Sequence, residues 1–427
     1  MNRIQRIILV TNGFPYGKGE KSFVLPELGE LEKRYKIVIF SNPTESFMAD
    51  KENYTKLDDA IELYTIKCDM SFEEKIMFSI YGMLKKDFFY EVLTILKSGR
   101  RIKDKIYSAI VFSGHAEYFY HKMKKFDSFK VEKGDLFYTF WNNAYPLALV
   151  RHKEALGNPL IISRIHGGDL YNEVIRGGTQ PFKNLMARKL NAIIFVSRYG
   201  LKYFESNWGH LNKLIYVPLG VEYKGRTARN DSDIFTIVSC SNVIETKRID
   251  LIIEGLRGVD ITKSCYKKVH WVHLGDGPKS SAVEKMAKER LTKIKNLSYE
   301  FKGFCPNDEV RNFYLQNSIK CFITTSQTEG GNPVSIQEAM SAGVPIIGTR
   351  VGGITEMIDE NKNGFLLPST PSPEQVTEAI QKLIEMPVEE IEKRGENSYI
   401  LWDKRFNFQK TNKKFLEFIE NDLQEEL

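Results

Sequence analysis

Thr324 to Ile354 reads TTSQTEGGNPVSIQEAMSAGVPIIGTRVGGI. The residues that lead into it, Cys321-Phe-Ile-Thr-Thr, are β-branched and apolar and stop at Ser326, which is the pattern of a buried strand. A polar loop with one carboxylate and two glycines follows. Asn332-Pro333 then predicts a helix start, with Asn332 as the N-cap acceptor and Pro333 in the first turn, where its missing N–H costs nothing; Gly343 predicts the stop. Val344-Pro-Ile-Ile-Gly-Thr is a second buried strand, and Val351-Gly-Gly-Ile is a second tight turn ahead of another short helical stretch. Strand, loop, helix, strand, loop, helix is the order of an α/β domain with a parallel sheet.

Such a unit sets backbone N–H groups and the positive end of a helix dipole at the carboxyl edge of the sheet, where a phosphate fits. Glu329 in the first loop and Glu338 in the helix repel phosphate, so they are assigned to hydroxyls, which donate hydrogen bonds to an ionised carboxylate. Phosphate and hydroxyls together describe a nucleotide sugar. The plainer alternative is that both glutamates are solvated loop and helix residues.

EGGNPVSIQEAMSAGVPIIGTRVGGITEMI resembles the signature of the retaining, nucleotide-sugar-dependent glycosyltransferases of the group 1 (family 4) type. The resemblance implies an α/β chain of two Rossmann-like domains facing each other across a cleft, the GT-B fold. It also implies a UDP- or GDP-sugar donor, a glycan or lipid-linked acceptor, and neither cofactor nor metal. Seven residues separate the family's two glutamates, whereas eight lie between Glu329 and Glu338, and the seven-spaced position is Gly330. An EGGNP loop longer by one residue fits this spacing. It leaves Glu338 as the hydroxyl binder and shifts Glu329, the candidate catalytic carboxylate. Gly330, Gly331, Asn332, Pro333 and Val334 are carried over as donor-binding backbone.

Other stretches join the resemblance. Ile7-Ile-Leu-Val predicts a first strand, followed by the glycine-rich Thr11–Ser22 loop and a helix near Leu25 to Lys33. The loop is neither a Walker A loop nor GxGxxG, since no Ser or Thr follows Lys18 and Ser22 holds the third glycine position. In the family it meets acceptor or donor phosphate, which points to Gly17 and Gly19. Pro159-Leu-Ile-Ile-Ser-Arg-Ile runs into His166-Gly-Gly-Asp169, similar to the family's HGxD. His166 is the candidate that orients the reacting sugar or the acceptor hydroxyl, with Asp169 and, more weakly, Arg164 beside it. In the second half, the family's arginine and, five residues on, lysine neutralise the leaving diphosphate. Lys247 fills the lysine position and Asn242 the arginine's, and neighbouring Arg248 is assigned the missing charge. Gly275, in the His-Leu-Gly-Asp-Gly-Pro turn, falls where the family holds the nucleobase on backbone groups.

The expected organisation is an N-terminal domain over residues 1–222, a polar linker over 223–233, a C-terminal domain over 234–400, and a tail, 401–427, that packs back on the first domain. Asp231-Ser-Asp233 mimics a metal-binding Asp-x-Asp but precedes a strand, and is read as solvated linker.

The chain has 427 residues, 42% of them hydrophobic, and a net charge of +6, without the dense basic run of a nucleic-acid binder. Five scattered cysteines suit a reduced intracellular setting, and Met1–Arg6 precedes an apolar run too short for a signal peptide or a membrane span. Cytoplasm is the expected location. From Met70 to Phe126 the pattern is helical, with Ile76, Ile80, Met83 and Leu84 on one stripe and eleven Lys/Arg against six Asp/Glu. Two readings stay open for this segment. Its apolar stripe packs on the sheet, or it lies on an anionic bilayer at the inner face of the cell membrane. Other functions also remain: a dinucleotide oxidoreductase, disfavoured by the missing GxGxxG; a sugar-binding scaffold without turnover; and a same-fold nucleotide-sugar epimerase.

Overall fold

The computed structural model describes residues 4–17, 19–175, 177–209, 213–228 and 233–423. The chain forms two compact units, Met1–Val217 with Asn412–Leu427, and Pro218–Thr411.

The first unit carries a seven-stranded parallel sheet of β1 (Arg6–Thr11), β2 (Lys36–Ser41), β3 (Glu62–Thr65), β4 (Asp135–Thr139), β5 (Leu160–Ile165), β6 (Ala192–Phe195) and β7 (Leu214–Tyr216), in the order β3-β2-β1-β4-β5-β6-β7. Every residue of β4 and β5 is buried. A parallel sheet is covered on both faces, which is why these strands read as unbroken apolar runs. The covering helices are α1 (Lys21–Leu31), α2 (Glu45–Ala49), α3 (Phe72–Met83), α4 (Lys86–Lys97), α5 (Ile102–Met123), α6 (Ala144–Arg151), α7 (Lys183–Lys189) and α8 (Arg198–Trp208). Helix α1 begins at Lys21, earlier than its apolar pattern suggests. The edge strand β3 escapes the sequence pattern because none of its four residues is fully buried.

The second unit has a six-stranded parallel sheet of β8 (Ile234–Cys240), β9 (Lys268–Leu274), β10 (Leu297–Phe301), β11 (Ile319–Thr324), β12 (Ile346–Thr349) and β13 (Gly364–Leu367), in the order β10-β9-β8-β11-β12-β13. Its helices are α9 (Ile249–Arg257), α10 (Ser280–Leu291), α11 (Asn307–Gln316), α12 (Val334–Ser341), α13 (Pro373–Ile384) and α14 (Val388–Arg405); α15 (Phe408–Glu417) carries the chain back toward the first unit. In each sheet the strand order reverses once, between β1 and β4 and between β8 and β11. The carboxyl ends of strands at such a reversal are where open α/β sheets bind ligands.

The chain divides at 217/218 and 411/412, not at 222 and 400. Val221 bridges to Asn407, and a Cβ on Gly220 would stand 2.5 Å from the Phe408 Cα, so 218–222 pack with the second unit. Trp402 and Phe406 are fully buried in that unit's core. The tail from Asn412 completes the first unit: Phe415 packs on Tyr138, and Lys414 Nζ donates to the Tyr216 carbonyl at 2.8 Å. Residues 424–427 of the expected tail lie outside the described residues.

The stretch 223–228 is no solvated linker. Thr227 N–H donates to the Ala342 carbonyl, Ala228 N–H to that of Asn317, and the Arg226 guanidinium lies 3.4 Å over the Tyr399 ring. An extended segment held through its backbone shows no apolar period, and composition alone therefore reads it as free. Asp231 and Ser232 of the Asp-x-Asp mimic lie outside the described residues, and Asp233 pairs with Lys267.

Candidate functional site

In the second unit three loops meet at the carboxyl ends of β8, β11 and β12. Arg248, in a left-handed conformation at φ +48, opens α9 and donates to the carbonyls of Thr325 at 2.7 Å, Ser326 at 3.1 Å and Ser369 at 2.9 Å. Thr325 returns its hydroxyl to the Arg248 carbonyl at 2.7 Å, and Gln327 N–H donates to the Thr246 carbonyl at 2.7 Å. The loop after β8 is thereby laced to the loop after β11. The second glycine turn lies on the first: a Cβ on Gly352 would stand 1.8 Å from the Glu329 carbonyl oxygen, and one on Gly353 2.2 Å from that of Gly331. Both positions need glycine because two backbones touch.

The lacing brings Lys247 to the EGGNP loop, where its Nζ pairs with the Glu329 carboxylate. Both side chains are mostly buried, at 22% and 14% exposure. Asn332 is not the N-cap. Pro333, extended at ψ 129, precedes the first helical residue, while Asn332 donates its side-chain N–H to the Gly353 carbonyl at 3.1 Å and tethers the two turns. Gln337 donates to the Asn332 carbonyl at 3.1 Å. The helix ends at Gly343, φ +76, as expected. The N–H groups of the first turn, from Val334, have no partner within the helix, which makes this end electropositive.

One turn further, Glu338 is 6% exposed. The nearest cation among the described residues is Arg311, whose Nε stands 3.8 Å away, beyond hydrogen-bond reach. Burial pushes the Glu338 carboxyl up to about 7, opposed by Arg311. A buried carboxylate is costly unless hydroxyl or N–H donors satisfy it. Gly275, at φ +139, sits where a Cβ would meet the Ser241 carbonyl oxygen at 1.9 Å; Asn242, next along that loop, is exposed.

The first unit gathers its own cluster after β1, β4 and β5. His166 N–H donates to Asp169 Oδ1 and Asn142 N–H to Asp169 Oδ2, each at 2.6 Å. The buried Lys183 ammonium donates to the Asn142 carbonyl and, at 2.6 Å, to its side-chain oxygen. Burial lowers the pKa of Lys183 and raises that of Asp169, and the opposite charge of each partner resists the change. His166 Nε2 stands 3.0 Å from the Phe140 carbonyl, and its ring lies 4.4 Å from that of Trp141. A carbonyl only accepts, so Nε2 carries the proton and Nδ1 presents a lone pair. Burial, with Arg164 adding to it, pushes the imidazolium down to about 3, so the ring is neutral at physiological pH.

Several expectations change here. Asp169 is engaged by two loop amides, which ties it to the backbone of His166 and Asn142. Arg248 joins loops and is not placed to supply the charge missing at Asn242. Arg164, 1% exposed, is tied to Glu27, to the Tyr138 hydroxyl and to the Val217 carbonyl, and supports the sheet. Gly17, at φ +71, packs on Phe47; Gly19 has open space around it. The amides of the first loop already hold an anion: Glu20 accepts from the N–H groups of Asn12 at 3.1 Å, Gly13 at 2.6 Å and Phe14 at 2.7 Å, and from Trp141 Nε1. A carboxylate in that place excludes a phosphate. Beside it lies a cavity of about 320 Å³ walled by Tyr16, Phe47 and Trp141. Glu20, Trp141, Asn142, Lys183 and Arg311 are residues beside the candidate site residues that the sequence reading did not single out. The signal for Glu20 was an acidic residue closing a glycine-rich loop. Among the described residues no group of three or more His, Cys, Asp or Glu could hold a metal ion.

Residues 224–400 match the family model of the glycosyl transferases group 1. A phosphatidylinositol N-acetylglucosaminyltransferase component from Arabidopsis thaliana is 30% identical over 40% of this chain and 36% of its own length. An uncharacterized glycosyltransferase of Methanocaldococcus jannaschii is 28% identical over 62% of this chain and 68% of its own. The chain spans about a third of the length of the first curated relatives it matches. Among solved structures, Anabaena HepE in complex with UDP and glucose superposes with a TM-score of 0.60 at 16% identity, over 97% of this chain and 99% of that one. The fold is that of the GT-B proteins.

Proposed function

We propose that this chain, whose residues 224–400 match the family model of the group 1 glycosyl transferases, is a retaining glycosyltransferase. It moves a sugar from a UDP- or GDP-sugar to a hydroxyl of a glycan or a lipid-linked acceptor in surface polysaccharide synthesis. One arrangement carries the reading. Lys247, from the loop after β8, pairs with the loop that feeds an electropositive helix end, and a buried carboxylate, Glu338, follows one turn into that helix. The first part suits a diphosphate and the second the neighbouring hydroxyls. Relatives named as glycosyltransferases and a like-folded protein that holds UDP and glucose support it.

In the second unit Lys247 and the first-turn amides of α12 stabilise the charge that grows on the leaving phosphate. In the first unit His166 presents Nδ1 as an acceptor for a hydroxyl hydrogen bond, and a ring this weakly basic does not keep a proton. The bond from the anomeric carbon to the phosphate oxygen breaks as the bond to the acceptor oxygen forms on the same face, and a phosphate oxygen takes the proton. With the leaving charge met by Lys247 and the α12 amides, no step requires a divalent ion. Turnover is therefore expected to persist in excess chelator, and its loss with rescue by added magnesium would reject that part of the mechanism.

Thermal shift against a panel of UDP- and GDP-sugars tests the reading. One donor should raise Tm by several degrees in the wild type and not in Glu338→Ala. No shift with any donor, or equal shifts in both proteins, would refute it. A scaffold without turnover draws support from Arg248, whose engagement leaves Lys247 to meet the diphosphate alone. Acceptor-dependent release of nucleoside diphosphate distinguishes the two.

A further inference from the structure

Helices α3 and α4 carry a row of large apolar side chains on their outer sides. On the inner side of α3 Phe78 enters the core against Tyr118 of α5, and small residues make the closest approach: a Cβ on Gly82 would stand 2.5 Å from Ser113 Oγ of α5, and one on Gly114 of α5 would stand 3.1 Å from Ser79 Oγ. With the small residues facing α5, Phe72, Ile76, Ile80 and Leu84 point to solvent, Phe72 at 73% and Leu84 at 71% exposure. Helix α4 is apolar on two sides. Phe88 and Ile95 enter the core, while Phe89, Tyr90, Leu93 and Leu96 remain 49–72% exposed on the opposite side. Of the stripe read from the sequence, Met83 packs against the core, while Ile76, Ile80 and Leu84 stay exposed. Isolated exposed apolar residues are ordinary, but eight on two consecutive helices form a patch that calls for a partner.

The charges around the patch are one-sided. Between residues 72 and 111 the exposed cations are Lys75, Lys86, Lys97, Arg100, Arg101 and Lys103, against one exposed carboxylate, Glu73. Two acids of α4 are withdrawn: Asp87 is bonded to Arg151, and Glu91 is buried enough for its pKa to be raised. We infer that this face, the outer side of α3 and α4 with the basic turn at Arg100-Arg101, docks on an anionic lipid surface. The aromatic and aliphatic side chains enter the acyl boundary and the cations lie among the headgroups. No helix among the described residues is long and apolar enough to cross a membrane, so the contact is one of lying on the surface. A second copy of this chain is a poorer occupant, because a two-fold contact would set like charges against each other. The surface follows from exposure and charge alone, independently of the proposed sugar transfer.

Flotation of the full chain with phosphatidylcholine vesicles, with and without phosphatidylglycerol, tests it. Binding is expected only with the anionic lipid and should fall as salt is raised. Phe89→Ser with Leu93→Ser, and separately Arg100→Glu with Arg101→Glu, should each weaken binding by about tenfold or more. Because all four side chains are exposed, the melting temperature should not move. The inference is overturned by absence of wild-type binding, by equal binding to neutral vesicles, by variants that bind like the wild type, or by a dimer that these same variants dissolve.

Discussion

Lys247→Ala is expected to lower kcat by about 10²- to 10³-fold, the usual effect of removing one preorganised group from a developing charge. Glu329→Gln should tighten binding of the free nucleoside diphosphate several-fold. The opposite signs follow from one contact. Without donor, the Lys247 ammonium is paired with the Glu329 carboxylate, and both are largely withdrawn from water. A diphosphate must compete with that carboxylate for the lysine. Neutralising Glu329 removes the competitor and leaves a partly buried cation without a counter-charge, which strengthens its attraction for an incoming anion. Removing the lysine takes away the attraction and leaves the carboxylate to repel the phosphate. Titration calorimetry with the nucleoside diphosphate of the accepted donor measures both variants. Weaker binding in both would mean that the pair is structural and that Glu329 contributes directly to diphosphate binding. Glu329, the glutamate with the shifted spacing, is the residue paired with Lys247, so this experiment also tests whether that spacing alters its work.

The parts of the fold that were legible in the sequence are those whose causes are local. Buried parallel strands such as β4, β5 and β11 read as apolar runs, and Gly343 ends a helix through its own left-handed backbone. Lys247, His166 and Glu338 were legible for a related reason, since each stands close after a strand end or in the helix that follows a glycine loop. What stayed hidden depends on partners far along the chain. Glu20 fills the first loop only because that loop folds back on it, and Trp141, 121 residues away, adds a further donor. Arg248 looks like a free cation until Ser369 arrives from beyond β13. Asp169 looks like a ligand group until Asn142 and Lys183 surround it. Helix α3 is amphipathic in sequence, but its inner face is the one where Phe78 meets Tyr118 and where Ser79 and Gly82 let Ser113 and Gly114 of α5 come close.

Glu338 offers a second large effect, with the sign fixed by its protonation. Its carboxyl ionises near 7 in the folded protein because it is buried, against about 4.5 when unfolded. In the proposed site the ionised form is the one that accepts hydrogen bonds from sugar hydroxyls, so donor binding below pH 7 would first have to remove a proton. Affinity for the nucleotide sugar, whose diphosphate diester stays ionised throughout, should therefore fall about tenfold per pH unit as pH drops below 7, and level off above it. Glu338→Gln should abolish that dependence and weaken donor binding about 10- to 100-fold at pH 8, as expected for lost charge-assisted hydrogen bonds. Stability moves the other way. A raised folded pKa leaves stability intact at low pH and erodes it as pH rises through about 7, so Glu338→Gln should raise Tm of the free protein at pH 8 and leave it unchanged near pH 4. A variant that is more stable yet binds donor poorly is the mark of a buried charge kept for its ligand, not for the fold. If Glu338→Gln loses stability and affinity together at pH 8, the carboxylate serves the packing of α12 against Arg311, and its role in holding the sugar nucleotide falls.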